Sequence, residues 1–201
     1  RGRLRAESNN RAEALAYYGV DESLPVVMSV GGSLGTRTLN EMMKAWILTL
    51  NGEAPVQVIW QTGKFYEREM QEFLAAHPTK NIWQGAFIDR MDYASAAANV
   101  VLSRSGACTV SELCLVAKPT IFVPSPNVSE DHQTKNAMAL VEKQAAIYVK
   151  DADAPATLLK QAIELVNDDK KLQNLSANIL TLALPDSATI IAKEVIKIMR
   201  K

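Results

Sequence analysis

Six short apolar runs, each separated from the next by a helical pattern, leave this chain few folds to adopt. The runs at residues 26–30, 56–60, 81–85, 99–103, 120–123 and 145–149 are rich in Val and Ile and apolar at successive positions. Strands buried on both faces look like this, whereas a half-exposed strand alternates apolar with polar residues. Between the first two runs, Leu39, Met42, Met43, Trp46, Ile47 and Leu50 recur at spacings of 3, 1, 3, 1 and 3, which places all six on one helical face. Further helical patterns cover residues 66–76, 91–98, 109–116 and 133–143. Strand followed by helix, repeated, predicts an α/β fold: an open parallel sheet of about six strands with helices on both faces and right-handed crossovers.

After residue 149 the strand pattern stops, and residues 155–166, 170–180 and 186–201 read as helices that pack on the sheet or reach toward a neighbouring domain. Residues 11–18 also read as helical and residues 1–10 as a polar linker. The expected organisation is therefore a linker and helix over 1–25 and one domain over 26–201. With 48% apolar and 22% charged residues in 201, disordered, collagen-like and disulfide-scaffold classes are excluded. The 22 basic residues balance the 22 acidic ones, so no nucleic-acid partner is expected; Arg1, Arg3, Arg5 and Arg11 form the only basic cluster. No apolar stretch reaches the roughly 18 residues of a membrane span, and no signal peptide follows the basic start, which predicts a cytoplasmic protein. Cys108, Cys114, His77 and His132 make no metal-ligand spacing, and both cysteines are expected to be buried as small apolar residues. Met91, Met138, Trp46, Trp60 and Trp83 read as core.

In an open parallel sheet, ligands bind beyond the carboxyl ends of the strands, where helix N-termini present unpaired N–H groups. After the first strand comes Gly31-Gly32-Ser33-Leu34-Gly35-Thr36, a candidate phosphate cradle with a hydroxyl donor at Ser33. It fits neither the dinucleotide nor the P-loop pattern, and a tight turn with no ligand explains the glycines equally well. After the fourth strand, Arg104-Ser105-Gly106-Ala107-Cys108-Thr109-Val110-Ser111-Glu112 forms a second glycine-containing junction. Two such junctions on one crevice suit a ligand with two polar ends, such as a nucleotide. Glu112 has two readings: a capping box with Thr109, or a carboxylate accepting from the vicinal diol of a ribose. Near the fifth strand, His132, Gln133 and Asn136 open a helix, where the amides suit either sugar hydroxyls or a solvated helix start.

Gly31-Gly32-Ser33-Leu34-Gly35, Gln61-Thr62-Gly63-Lys64, Phe87-Ile88-Asp89-Arg90-Met91, Ser103-Arg104-Ser105-Gly106-Ala107, Thr109-Val110-Ser111-Glu112 and Asp131-His132-Gln133-Thr134-Lys135-Asn136-Ala137 stand in one order and spacing. From about residue 26 to the end, that order resembles the C-terminal domain of the MurG family. Its members are the UDP-N-acetylglucosamine transferases that complete the lipid-linked peptidoglycan precursor.

The resemblance implies one half of a GT-B glycosyltransferase, a Rossmann-like domain that holds the UDP-N-acetylglucosamine donor. It implies that the Ile88 backbone reads the uracil edge, that Glu112 binds the ribose hydroxyls, and that Gly32, Ser33, Gly35, Gly106 and Thr109 surround the diphosphate. It further implies that Gln133, His132 and the Ala107 backbone face the sugar, with Asn136 a candidate binding residue of the same segment as Gln133 and Arg104 in the motif of Ala107 but without an assigned role. Many members carry Gln where His132 stands and Ala where Thr36 stands. The lipid-linked muramyl-pentapeptide acceptor, the general base and the contact with the cytoplasmic face of the inner membrane are implied to belong to a first domain outside these residues. No cofactor or metal is implied to be obligatory. A transferase or epimerase of another UDP-sugar, and a non-catalytic nucleotide-sugar binding subunit, remain as alternatives.

Overall fold

The computed structural model describes residues 11–127 and 131–199 of the chain. The expected linker over residues 1–10, positions 128–130 and the last two residues of the expected C-terminal helix lie outside the described residues. In chain order the elements are α1 (Arg11–Tyr18), β1 (Val26–Val30), α2 (Arg37–Ile47), β2 (Glu53–Gln61), α3 (Glu67–Ala76), β3 (Lys80–Gly85), α4 (Met91–Ala97), β4 (Val100–Ser103), α5 (Ala107–Leu115), β5 (Thr120–Phe122), α6 (His132–Val141) and β6 (Ile147–Tyr148). A short 3-10 turn at Asp151–Asp153 leads into α7 (Ala154–Val166), followed by α8 (Asp169–Leu180) and α9 (Ser187–Met199). All six strands pair in parallel, in the spatial order β3-β2-β1-β4-β5-β6. The expected six-stranded parallel sheet is therefore present.

Successive side chains leave a strand on opposite faces, and this pleat divides the apolar runs between two cores. Val27, Val58, Trp60, Val100, Leu102 and Ile121 join α2 and α7 on one face, with Met70 of α3. Met28, Ile59, Val101 and Phe122 join α1, α4, α5 and α6 on the other, with Ile179 of α8. Chain direction across the sheet reverses between β1 and β4, so the crevice beyond their carboxyl ends is the one place where two neighbouring crossovers diverge.

Several boundaries differ from the sequence expectation. α2 ends at Ile47, where Thr49 turns its hydroxyl to the Trp46 carbonyl, so Leu50 falls beyond the helix. The last apolar run pairs only through Ile147 and Tyr148, although Ala145, Ala146 and Val149 are buried beside it. Cys114 is buried as expected, but Cys108 is exposed, as the second residue of α5 in the turn that follows the Gly106 cap. Of the C-terminal helices, α7 packs on the sheet and against α2, α8 buries Leu175 and Ile179, and α9 buries none of its residues. No helix among the described residues is long and apolar enough to cross a membrane.

Candidate functional site

The loop from β1 to α2 is shaped by its glycines. A Cβ on Gly31 would lie 2.8 Å from Cβ of Thr36, and Gly35 (φ +89°) would place a Cβ 2.2 Å from the Thr62 carbonyl oxygen. Thr36 is the N-cap of α2, yet its hydroxyl donates to the Gly31 carbonyl (2.8 Å) and makes no cap bond to the helix. The first N–H groups of α2, at Arg37, Thr38 and Leu39, have no acceptor within the helix and face the crevice end with the positive end of the helix dipole.

This loop is braced from below by the turn after β2. Lys64 N–H donates to the Ser33 carbonyl (3.2 Å), and Gly63 packs against Gly35. Trp60, fully buried, donates its indole N–H to Asn40 Oδ1 (2.9 Å), and the Asn40 amide donates to the Thr62 carbonyl (2.9 Å). The Gln61 side chain donates to the Gly32 carbonyl (2.9 Å) and accepts from the Ile88 N–H (3.1 Å).

At the second junction α5 begins at Ala107 with Gly106 as its N-cap. That start decides between the two readings of Glu112. Thr109 is the third residue of the helix and Glu112 the sixth, so the capping box is not formed and the carboxylate is left to the cavity it lines. A Cβ added to Gly106 would meet nothing within 4 Å. Protein packing therefore does not require a glycine there, whereas a ligand close to the α5 N-terminus would.

Two contiguous hollows open over these loops. The smaller, about 180 Å³, has largely apolar walls including Met28, Phe87, Met91 and Val101, with Gln61 and Glu112 among its polar groups. The larger, about 550 Å³ and more open, is bounded by the loop at 31–36 and by Arg104, Gly106, Ser125 and Gln133. They share Val30, Gly32, Ser33, Ser103 and Thr109. Of the residues expected at the site, Gly32, Ser33, Gly35, Arg104, Gly106, Thr109, Glu112 and Gln133 thus surround one continuous cleft. Ile88, Ala107, His132 and Asn136 do not line it: Ile88 is buried beneath, Asn136 donates to the Ser105 carbonyl (3.0 Å), and His132 opens α6 on the surface. Gln133 reaches the cleft while its Oε1 accepts from Ser125 N–H (2.9 Å).

Arg104 is mostly buried and engaged with protein. Its Nη1 donates to the carbonyls of Val123 (2.7 Å) and Pro124 (3.0 Å) and to Asp151, whose other oxygen accepts from the Thr38 hydroxyl (3.0 Å). One guanidinium thereby ties together the loops after β4, β5 and β6 and the first turn of α2. Arg104→Met is expected to lower stability by about 2 kcal/mol, since it leaves Asp151 without its charge partner in a mostly buried setting. Urea denaturation measures this, and a change below a few tenths of a kcal/mol would reduce the clamp to a surface contact. Among the described residues no group of three or more His, Cys, Asp or Glu comes together in a metal-holding arrangement.

The sequence pattern of the glycosyltransferase family 28 C-terminal domain matches residues 26–191. The chain belongs to this family. Among curated relatives of this family 28 chain is the UDP-N-acetylglucosamine--N-acetylmuramyl-(pentapeptide) pyrophosphoryl-undecaprenol N-acetylglucosamine transferase of Bacteroides fragilis, 50% identical over 100% of this chain and 53% of the relative. The protein of the same name from Parabacteroides distasonis is 47% identical over 96% of the chain and 52% of the relative. The chain thus spans about half the length of the curated relatives it matches. Among solved structures, MurG of Acinetobacter baumannii superposes with a TM-score of 0.75 at 26% identity, over 96% of this chain and 55% of that one. A UDP-GlcNAc 2-epimerase from Neisseria meningitidis shares the fold alone, with a TM-score of 0.60 at 10% identity over 95% of this chain and 49% of that one. The six-stranded family 28 domain is accordingly one half of a GT-B architecture.

Sequence reasoning passed over Gln61, Met91, Thr38 and Asp151 as parts of the cleft. Gln61 carried a signal, a polar residue closing a buried apolar strand. Asp151 had none, because it meets Arg104 only after two further strands have been laid down.

Proposed function

We propose that this chain, over residues 26–201, is the donor-binding domain of an inverting transferase that moves N-acetylglucosamine from UDP-N-acetylglucosamine to a lipid-linked muramyl-pentapeptide acceptor. The observation that carries the reading is the single cleft onto which the N-termini of α2 and α5 both open, with an uncapped Glu112 beside the narrower end. Uracil and ribose suit the smaller, apolar-walled hollow, where the Glu112 carboxylate accepts from the ribose hydroxyls. The diphosphate suits the zone shared by both hollows, where Ser33, Thr109 and the helix N–H groups offer donors to negative charge. The sugar then extends into the wider hollow toward Gln133.

Chemistry on such a donor is attack by the acceptor 4-hydroxyl on the anomeric carbon, with inversion and departure of UDP. Charge grows on the leaving diphosphate, and preorganised N–H groups aimed at it stabilise that charge in the transition state. The acceptor, the base that takes the hydroxyl proton and the contact with the cytoplasmic face of the membrane are assigned to the part of the longer relatives outside these 201 residues. By this reading the chain binds donor and takes part in peptidoglycan synthesis only together with that part. Names of the curated relatives and the GT-B architecture support the assignment.

Isothermal calorimetry tests the reading directly. UDP and UDP-N-acetylglucosamine are expected to bind, and GDP to bind at least about tenfold more weakly, because the bicyclic guanine is larger than uracil and presents a different hydrogen-bonding edge to the narrower hollow. Equal heats and affinities for GDP and UDP would overturn the uridine assignment. Binding of UDP-glucose as tightly as UDP-N-acetylglucosamine would move the sugar assignment to another UDP-hexose.

A further inference from the structure

The Gln61 side chain touches both ends of the cleft at once. It closes β2, where its backbone pairs with Val30 and Gly85, and it is 3% exposed. Its Nε2 donates to the Gly32 carbonyl (2.9 Å) in the phosphate loop, and its Oε1 accepts from the Ile88 N–H (3.1 Å) in the loop after β3. Only this orientation of the amide is possible, since the flipped one would set oxygen against carbonyl oxygen and NH2 against N–H.

Each bond fixes a peptide plane. In a trans peptide the C=O and the following N–H point in opposite directions. The Gly32 carbonyl also accepts from Gly35 N–H (3.1 Å), so it is held toward the protein from two sides and the Ser33 N–H is turned the other way, toward the cleft. In the same manner, holding the Ile88 N–H inward turns the Phe87 carbonyl outward and leaves the Ile88 N–H engaged with protein. That finding modifies the expected role of Ile88: a base that uses this N–H must first displace Gln61 Oε1.

We propose that Gln61 is a positioning residue that couples the base end of the cleft to its phosphate end, so that occupation of one end changes the orientation of backbone donors at the other. The proposal rests on the nucleotide reading given above. Displacing Oε1 from Ile88 frees the side chain to turn, and turning it releases the Gly32–Ser33 peptide. Conversely, a phosphate that holds the Ser33 N–H fixes the Gly32 carbonyl, keeps Gln61 in place and retains the Ile88 peptide. Nucleoside and diphosphate should therefore bind non-additively in the wild type.

The test compares uridine, UDP and CDP binding to wild type, Gln61→Glu and Gln61→Met, with a thermal melt of each. Gln61→Glu keeps an acceptor for Ile88 N–H but cannot donate to Gly32, so the UDP/CDP preference should stay within about threefold of wild type while the UDP/uridine ratio falls at least tenfold. Gln61→Met removes both bonds, and both ratios should fall. A side chain that merely supported the fold would weaken all three ligands by one factor and leave both ratios unchanged, which would overturn the proposal. If either variant fails to fold, wild type decides. Inorganic pyrophosphate alone should slow hydrogen exchange of the Ile88 amide, because it retains the bond from that N–H to Gln61, and an exchange rate unchanged under saturating pyrophosphate refutes the coupling. Failure of wild type to bind UDP at all would instead count against the functional reading.

Discussion

Gly63→Ala is expected to destabilise the protein by about 3 kcal/mol or more, enough to remove a large part of the stability of an ordinary domain. Gly63 sits at φ +82°, and a Cβ there would lie 2.1 Å from both Cα and N of Gly35 and 2.4 Å from the Leu34 carbonyl carbon. All three are backbone atoms, so no flexible side chain can yield, and the strain of left-handed backbone adds about 1–2 kcal/mol to the overlap. Gly52→Ala is the matched control. Gly52 has φ +79°, but its nearest neighbour to an added Cβ, the Pro78 carbonyl oxygen, is 3.6 Å away, so only the backbone cost of about 1–2 kcal/mol applies. Urea denaturation of the two variants separates close approach from conformation. Equal losses would mean that the contact between the turn after β2 and the β1–α2 loop is not what holds that loop.

Glu112→Gln is expected to weaken UDP binding by about ten- to hundredfold, the equivalent of about 1.5–3 kcal/mol for charge-assisted hydrogen bonds to the ribose. Stability should change by less than about 0.5 kcal/mol, because Glu112 is exposed and holds no cap at the α5 start. A capping role would leave affinity unaltered and cost at most about 1 kcal/mol of stability, since Gln also serves in a capping box. Wild type should also favour UDP over 2′-deoxy-UDP, and the variant should favour it less. A variant that binds UDP as wild type does and keeps the ribose preference would remove Glu112 from the site.

What could be read from the sequence depended on how local its cause was. The six strands were legible because burial on both faces leaves an unbroken apolar run, and the β1–α2 junction because Gly31 to Thr36 sits between such a run and an amphipathic helix. The start of α5 was not: Thr109-x-x-Glu112 imitates a capping box, while the true cap, Gly106, has no side chain with which to announce itself. Exposure of Cys108 follows from the same shift of start. Strand β6 was overestimated because Ala145 and Ala146 are buried before the ladder begins, Ala145 N–H still bonding back to the Leu140 carbonyl, and apolar content reports burial, not strand pairing. The two side chains that organise the cleft, Gln61 and Arg104, act on residues 19 to 47 positions away, and no local pattern encodes such distances.

The hydrogen-bonded path from Trp60 through Asn40 to the Thr62 carbonyl has an optical consequence. Trp60 is fully shielded from water and its indole N–H is held by one fixed acceptor, whereas Trp46 and Trp83 are only partly buried. An indole in that setting emits toward the blue and is out of reach of aqueous quenchers, so its signal can be separated from the other two by adding iodide. The residue after Thr62 is Gly63, the one packed against the β1–α2 loop. The protein therefore contains a fluorophore of its own, two hydrogen bonds from the turn that braces the cleft, and movements of that turn can be followed in light without any label.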